Sequence, residues 1–193
     1  MNKKSVLSNA NKSLCLIILS LIISGAVAFS GCTKEKATGT KVTGLTGACE
    51  IVDKLSKEVT KPLAIDYANK IKLLGITINK ESQARLRVSY YWQLGESLGS
   101  YNTVFIHFTD KNNKVIFQND HLFCQQKSFE ELKGQVVQET FKVDFPQNAL
   151  GQEIFVKIGL YDPKSGGRLK IASTNGIPAD DSNSRAIVES LKL

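Results

Sequence analysis

A chain of 193 residues, 42% hydrophobic, has the length for one domain and the apolar content for one packed core. Its formal charge of +7 comes from 25 Lys and Arg against 18 Asp and Glu, and Lys3, Lys4 and Lys12 stand in an N-terminal stretch without acids. No basic stripe interleaved with aromatics gathers the rest, so a nucleic-acid partner is not expected.

Leu14 to Phe29 is an apolar run softened by Ser20, Ser24 and Gly25. A membrane-spanning helix needs about twenty apolar residues, so this shorter run after a basic segment fits a signal peptide. The run ends in Phe29-Ser30-Gly31-Cys32, which resembles the bacterial lipobox, with Phe29 where that pattern usually has Leu. The resemblance implies a signal helix in residues 1–31, cleavage before Cys32 and diacylation of Cys32. Buried acyl chains contribute about 0.8 kcal/mol per methylene, so two chains make a durable anchor. The alternative is an ordinary secretory leader with an incidental cysteine. Thr33 stands where an Asp would resemble an inner-membrane retention signal. The expected location is therefore the outer membrane, facing the periplasm, in a host with two membranes. In a host with one it is the outer face of the cytoplasmic membrane.

Cys15 lies in the leader, which leaves Cys49 and Cys124 as an even pair in an oxidising compartment. One disulfide between them would add up to about 4 kcal/mol by loop closure. A zinc site is not expected, because there is no C-x-x-C and His107 and His121 belong to different segments.

Residues 33–47 are rich in Thr, Gly and Lys and read, with Cys32, as a lipidated flexible tether. Ala48, Ile51, Leu55 and Val59 have helical spacing with Pro62 beyond, which predicts a short amphipathic helix over 48–60.

From Leu63 the period changes to two. Leu63, Ile65 and Tyr67 alternate, Ala68-Asn69 can turn, and Ile71 to Ile78 returns. Leu86, Val88, Tyr90 and Trp92 share one face of the next strand, with Arg85, Arg87 and Ser89 on the other. Thr103 to Thr109 (TVFIHFT) reads as a strand buried on both sides, and Asp110-Lys111-Asn112-Asn113 turns it into Val115 and Phe117. Residues 119–135 look irregular. Val137 to Phe145 and Ile154 to Tyr161 are strands, Asp162 to Gly167 is a hairpin turn, Leu169 and Ile171 return, and Arg185 to Leu193 is the last strand. Short strands with turns between them predict an all-β fold, an Ig-like antiparallel sandwich of about eight or nine strands in residues 48–193, preceded by the short helix.

Several segments carry a family likeness: Ile71-Lys72-Leu73-Leu74-Gly75, Tyr91-Trp92, and Tyr101-Asn102-Thr103-Val104-Phe105-Ile106-His107. Gln118-Asn119-Asp120-His121, Gly159-Leu160-Tyr161-Asp162-Pro163, Ser165-Gly166 and Arg168-Leu169 continue it in order. Residues 63–193 resemble the periplasmic β-sandwich appended to bacterial membrane glycosyltransferases of the dolichyl-phosphate-mannose mannosyltransferase type. That appended domain follows a polytopic membrane enzyme, which these residues do not include. Its counterpart of residues 121–135 usually holds prolines, and this stretch has none. The resemblance therefore implies the sandwich and its surroundings, without transferase activity or catalytic residues.

Four residues are candidates for ligand contact. His107 sits in an apolar strand, where a hydrogen-bonded core or rim residue is the commoner role than a base or ligand. Asp120 adjoins His121, but neighbouring strand residues point to opposite sides, which argues against an acid–base pair. Trp92 is in step with Val88 and Tyr90, which marks it as core; a sugar-stacking platform requires exposure. Tyr161 ends a strong strand beside the Asp162–Gly167 turn, where Asp162 and Arg168 read as turn-capping residues. Glu130 and Glu131 read as a charged loop. No G-x-S-x-G, H-E-x-x-H or P-loop is present, so neither catalysis nor a cofactor is expected. The expected function is that of a lipid-anchored, non-catalytic binding module for an envelope carbohydrate or glycolipid. The alternative is a scaffold that meets another envelope protein.

Overall fold

The computed structural model describes residues 47–59, 62–125, 127–180, 182 and 184–193. The expected signal helix, Cys32 and the tether through residue 46 lie outside the described residues. In chain order the strands are β1 (Ala48–Val52), β2 (Ile65–Tyr67), β3 (Ile71–Ser82), β4 (Arg85–Leu94), β5 (Thr103–Thr109) and β6 (Val115–Gln118). After these come β7 (His121–Leu122), a one-turn helix α1 (Phe129–Leu132), β8 (Val136–Asp144) and β9 (Glu153–Tyr161). β10 (Ile171–Ser173), β11 (Ala179–Asp180) and β12 (Arg185–Lys192) complete the chain. They form two antiparallel six-stranded sheets packed as a sandwich. The first sheet has the order β1-β8-β4-β3-β2-β10, and the second β11-β12-β9-β5-β6, with β7 also paired to β5.

Turn chemistry sets the hairpins. Ala68 and Asn69 take φ of 53° and 60°, as a two-residue primed turn requires, and the Asp66 carboxylate accepts the Asn69 N–H at 2.8 Å. At the other hairpin the Asp162 carboxylate accepts from Lys164 N and Ser165 Oγ, both at 2.8 Å. These bonds hold its carboxyl below the ordinary range.

The core follows from strand alternation. Ile65, Tyr67, Leu73, Val88, Tyr90 and Trp92 of the first sheet face inward, as do Val104, Ile106, Phe108, Val156, Ile158 and Leu160 of the second. The Tyr67 hydroxyl crosses between the layers and donates to the Ile158 carbonyl at 2.9 Å. Burial drives the pKa of that hydroxyl upward, so it remains a donor.

Three strands depart from the sequence expectation. The two-residue β7 and β11 are too short to show a period. The helix expected over 48–60 is replaced by β1, which pairs with β8 from Ala48↔Thr140 to Val52↔Val136. An isolated helix of that length is marginal in water. Here the backbone hydrogen bonds of β8 and the Cys49–Cys124 disulfide decide the conformation instead. Ile51, on the supposed apolar face, is left 44% exposed. The stretch expected to be irregular holds β7 and α1. In α1 Ser128 and Glu131 form a capping box, so Glu131 belongs to a helix start rather than a loop.

Both outer faces are crossed by other segments. Val59 packs on Gly75, where a Cβ would come within 2.6 Å of the Val59 side chain. On the second sheet Gly159 lies under the Ser184 carbonyl, against the Phe105 ring. A Cβ at 159 would meet that carbonyl oxygen at 2.6 Å, closer than real Cβ contacts come. Gly159→Ala is therefore expected to lower stability by about 1–3 kcal/mol, as overpacking does. Its urea unfolding midpoint checks this, and an unchanged midpoint would show that the covering segment is loosely held.

The disulfide joins residues 75 apart in sequence. Loop-closure entropy makes it worth about 4 kcal/mol, the loss expected when Cys49 and Cys124 are both changed to Ser. Denaturant unfolding of the double variant beside its parent measures it.

Candidate functional site

The outer face of the second sheet is built by the pairing of β5 with β9. With Val104, Ile106 and Phe108 committed to the core, Phe105 and His107 must point outward. The register Thr103↔Tyr161, Phe105↔Gly159 and His107↔Lys157 brings the outward residues of β9 alongside them. Asp120 enters from the bend between β6 and β7, fixed by Asn119, whose N–H donates to the Ile106 carbonyl at 2.9 Å. Arg168, just past the hairpin turn, stacks its guanidinium 4.8 Å above the Phe105 ring. Phe105, His107, Asp120, Tyr161, Gly166 and Arg168 line a concavity of about 250 Å³.

His107 Nδ1 faces the Arg185 guanidinium at 3.4 Å. Arginine only donates, so Nδ1 accepts and Nε2 carries the proton. That Nε2–H faces Asp120 Oδ1 across 3.9 Å. The gap is too long for a direct hydrogen bond and suits a bridging oxygen that accepts from His107 and donates to Asp120. The Tyr161 hydroxyl lies close to the Asp120 carboxylate in the same concavity. Burial raises the Asp120 pKa, and the nearby His121, Tyr161 and Arg168 only partly offset this. Tyr161 is raised as well, by burial and then by the Asp120 charge.

Three of the four candidate ligand residues thus meet at one place. The fourth, Trp92, does not join them. It is fully buried between the sheets, edge-on to Phe123 at 6.2 Å, and presents no ring face to solvent. Asp162 spends its carboxylate on its own turn, while Arg168 turns to Phe105. Asp120 and His121 face opposite ways, as adjacent residues do: His121 Nε2 lies 3.4 Å from the buried carboxylate of Glu139. Cys49 and Cys124 are bonded to each other. Among the described residues no group of three His, Cys, Asp or Glu is placed to hold a metal ion.

Four charged residues escaped the reading of the sequence: Glu139, Lys157, Asp180 and Arg185. Glu139 is 1% exposed and accepts the Cys124 N–H at 2.9 Å. Lys157 and Arg185 both bond Asp180 beneath the surface of the second sheet. A signal existed for two of them. Glu139 is an acid in the apolar phase of Val137, Phe141 and Val143, and Lys157 interrupts the apolar run IFVKIGLY.

No protein-family model matches this chain, and no curated protein or solved structure does either.

The raised Asp120 carboxyl sets a sign for stability. The folded protein keeps that proton to a higher pH than the unfolded chain does. Stability therefore falls as pH rises from the ordinary carboxylate range through the raised value, and levels off above it. Asp120→Asn removes the cost of burying the charge. Its urea midpoint at neutral pH is expected to equal or exceed that of the parent, with a shallower fall across that window. A clear drop would mean that the carboxylate serves the fold rather than a ligand.

Proposed function

We propose that this chain is a lipid-anchored, non-catalytic envelope protein whose second sheet binds an envelope carbohydrate or glycolipid at the Asp120–His107 concavity. The observation that carries the reading is the 3.9 Å gap between His107 Nε2 and Asp120 Oδ1. A sugar hydroxyl both accepts and donates, so one hydroxyl can bridge the two groups. Arg168, stacked over the buried Phe105 ring, and Tyr161 line the rest of the concavity. A concave site with a few convergent polar groups beside an aromatic ring is the general form of a small-ligand site. The likeness of residues 63–193 to a sandwich carried by glycosyltransferases adds an association, since fold alone does not fix function.

The lipobox-like Phe29-Ser30-Gly31-Cys32 motivates the anchor. The Cys49–Cys124 disulfide supports export, because such bonds persist in oxidising compartments. Cys32→Ser is expected to block processing of the precursor and to shift the protein from the membrane to the soluble fraction. Retention of normal processing and membrane association would end the lipoprotein reading.

A second reading, an assembly partner that docks along a strand edge, is favoured by β1, a terminal strand that leaves Ile51 exposed. Amide-shift NMR with saccharide fractions from the producing cell's envelope separates the two. The glycan reading expects saturable shifts at His107, Asp120 and Tyr161, with affinity about tenfold or more lower in Asp120→Ala, as loss of a charged hydrogen bond implies. Binding should also weaken as pH falls through the raised Asp120 pKa, because the protonated acid is a weaker acceptor for the bridging hydroxyl than the carboxylate is. Silence across all fractions would sink the glycan reading and leave the protein partner.

A further inference from the structure

Lysine is seldom fully buried unless its charge is paired. Lys157, at the centre of β9, is 2% exposed. Its Nζ donates to Asp180 Oδ2 at 2.7 Å and also contacts Asn113 Oδ1. Asn113 belongs to the turn between β5 and β6, where its N–H donates to the Asp110 carbonyl at 3.1 Å. It takes a φ of 66°, a left-handed conformation that Asn tolerates better than most residues. The turn thereby holds the Asn113 carboxamide against the Lys157 amine. Asp180, in β11, is gripped independently by Arg185, which donates from Nε to Oδ1 at 2.6 Å and from its second terminal nitrogen to Oδ2 at 3.0 Å.

The Lys157 amine therefore touches both a carboxamide, at its oxygen, and a carboxylate, and is held out of bulk water. These are a nucleophile, an acyl group with a leaving nitrogen, and a proton carrier. A lysine amine kept from water beside a second cation is a recognised setting for nucleophilic attack. We propose that Lys157 and Asn113 join in an intramolecular isopeptide cross-link, with Asp180 as the proton carrier.

The step balances without any further reagent. Asp180 takes a proton from the Lys157 ammonium, and the freed lone pair attacks Asn113 Cγ. The new C–N bond forms as the carbonyl electrons move to oxygen. Asp180 relays the proton to the Asn113 Nδ2 and recovers one from the attacking nitrogen. When the carbonyl re-forms, the bond from Cγ to Nδ2 breaks, and the departing ammonia takes the proton from Asp180 to leave as ammonium, which restores the carboxylate. The net change is lysine ammonium plus asparagine amide going to a substituted amide plus ammonium ion, with no oxidation or reduction.

Burial acts to raise the Asp180 carboxyl, but hydrogen bonds from Arg185 and Lys157 outweigh it and hold the group below its ordinary value. It therefore starts as the base. After the reaction Asp180 keeps its two-point bond to Arg185, so converting Lys157 to a neutral amide leaves no buried carboxylate stranded. Asn113 lies on the solvent side of the cluster, which gives ammonia an exit. The cross-link spans 44 residues and ties the turn after β5 to the centre of β9.

The test is tryptic peptide mapping of the whole protein by mass spectrometry, after denaturation and reduction of the disulfide. The expected product is a branched peptide in which Asn113 and Lys157 are joined, about 17 Da lighter than the two linear peptides together, the mass of one ammonia. It should be absent in Lys157→Arg and lost or slowed in Asp180→Asn. Recovery of both segments from the parent protein as linear peptides of unmodified mass overturns the proposal. That result needs no variant to fold. Full cross-linking in Asp180→Asn would overturn the role given to Asp180.

Discussion

The register between β5 and β9 decides what each side of the second sheet can do. Pairing Val104 with Leu160, Ile106 with Ile158 and Phe108 with Val156 puts three apolar pairs in the core. The same register leaves Phe105 opposite Gly159 and His107 opposite Lys157 on the other face. A slip of one residue would exchange the faces, sending an imidazole and an ammonium into the core. The burial of the apolar pairs therefore also fixes the position of the outer-face groups. Gly159 is part of the same constraint, since Phe105 and the Ser184 carbonyl occupy the space a side chain would need.

The covering of the outer faces changes the electrostatics of the whole domain. In an open sandwich, outward polar residues meet water and need no partner. Here the Ser184 carbonyl lies over the second sheet, while Ser56 and Val59 lie over Tyr91 and Gly75 of the first. Outward groups are then desolvated, and each must find a bond or destabilise the fold. Arg185 at 6% exposure and Lys157 at 2% accordingly converge on Asp180. Tyr91, 2% exposed, reaches Ser56 and Thr77. The Asp120 concavity lies beside the covered zone. This position explains why its carboxyl is desolvated enough to be raised and still reaches an open cleft.

Much of this was legible in the chain because strands with one committed face write their phase into the sequence. Leu86, Val88, Tyr90 and Trp92 announced an inward stripe, and that phase correctly put Trp92 inside. His107, Asp120 and Tyr161 were legible only as residue types; what brings them together is the β5–β9 register and the bend at Asn119. The helical spacing over 48–60 misled because four apolar residues at that interval do not outweigh an available strand edge and a covalent bond to Cys124. Lys157, Asp180 and Arg185 were hidden for a related reason. Their meaning is a three-way contact among β9, β11 and β12, and no local window contains it.

Two adjacent residues connect the interior to the candidate site. His121 points inward, packed against Phe141 at 4.0 Å and near Tyr90, with Nε2 toward Glu139. Asp120 points outward to His107 and Tyr161. Glu139 also accepts the N–H of Cys124, whose sulfur is tied to β1 through Cys49. The segment from Asp120 to Cys124 is thus pinned from inside by a buried carboxylate and a covalent bond. A partly desolvated carboxylate left to itself would move toward water, lowering its own cost and opening the gap to His107. Pinning the neighbouring residue prevents that escape. The disulfide and Glu139 therefore do more than stabilise an edge of the sandwich: they hold Asp120 where its charge is least comfortable and most available to a hydroxyl.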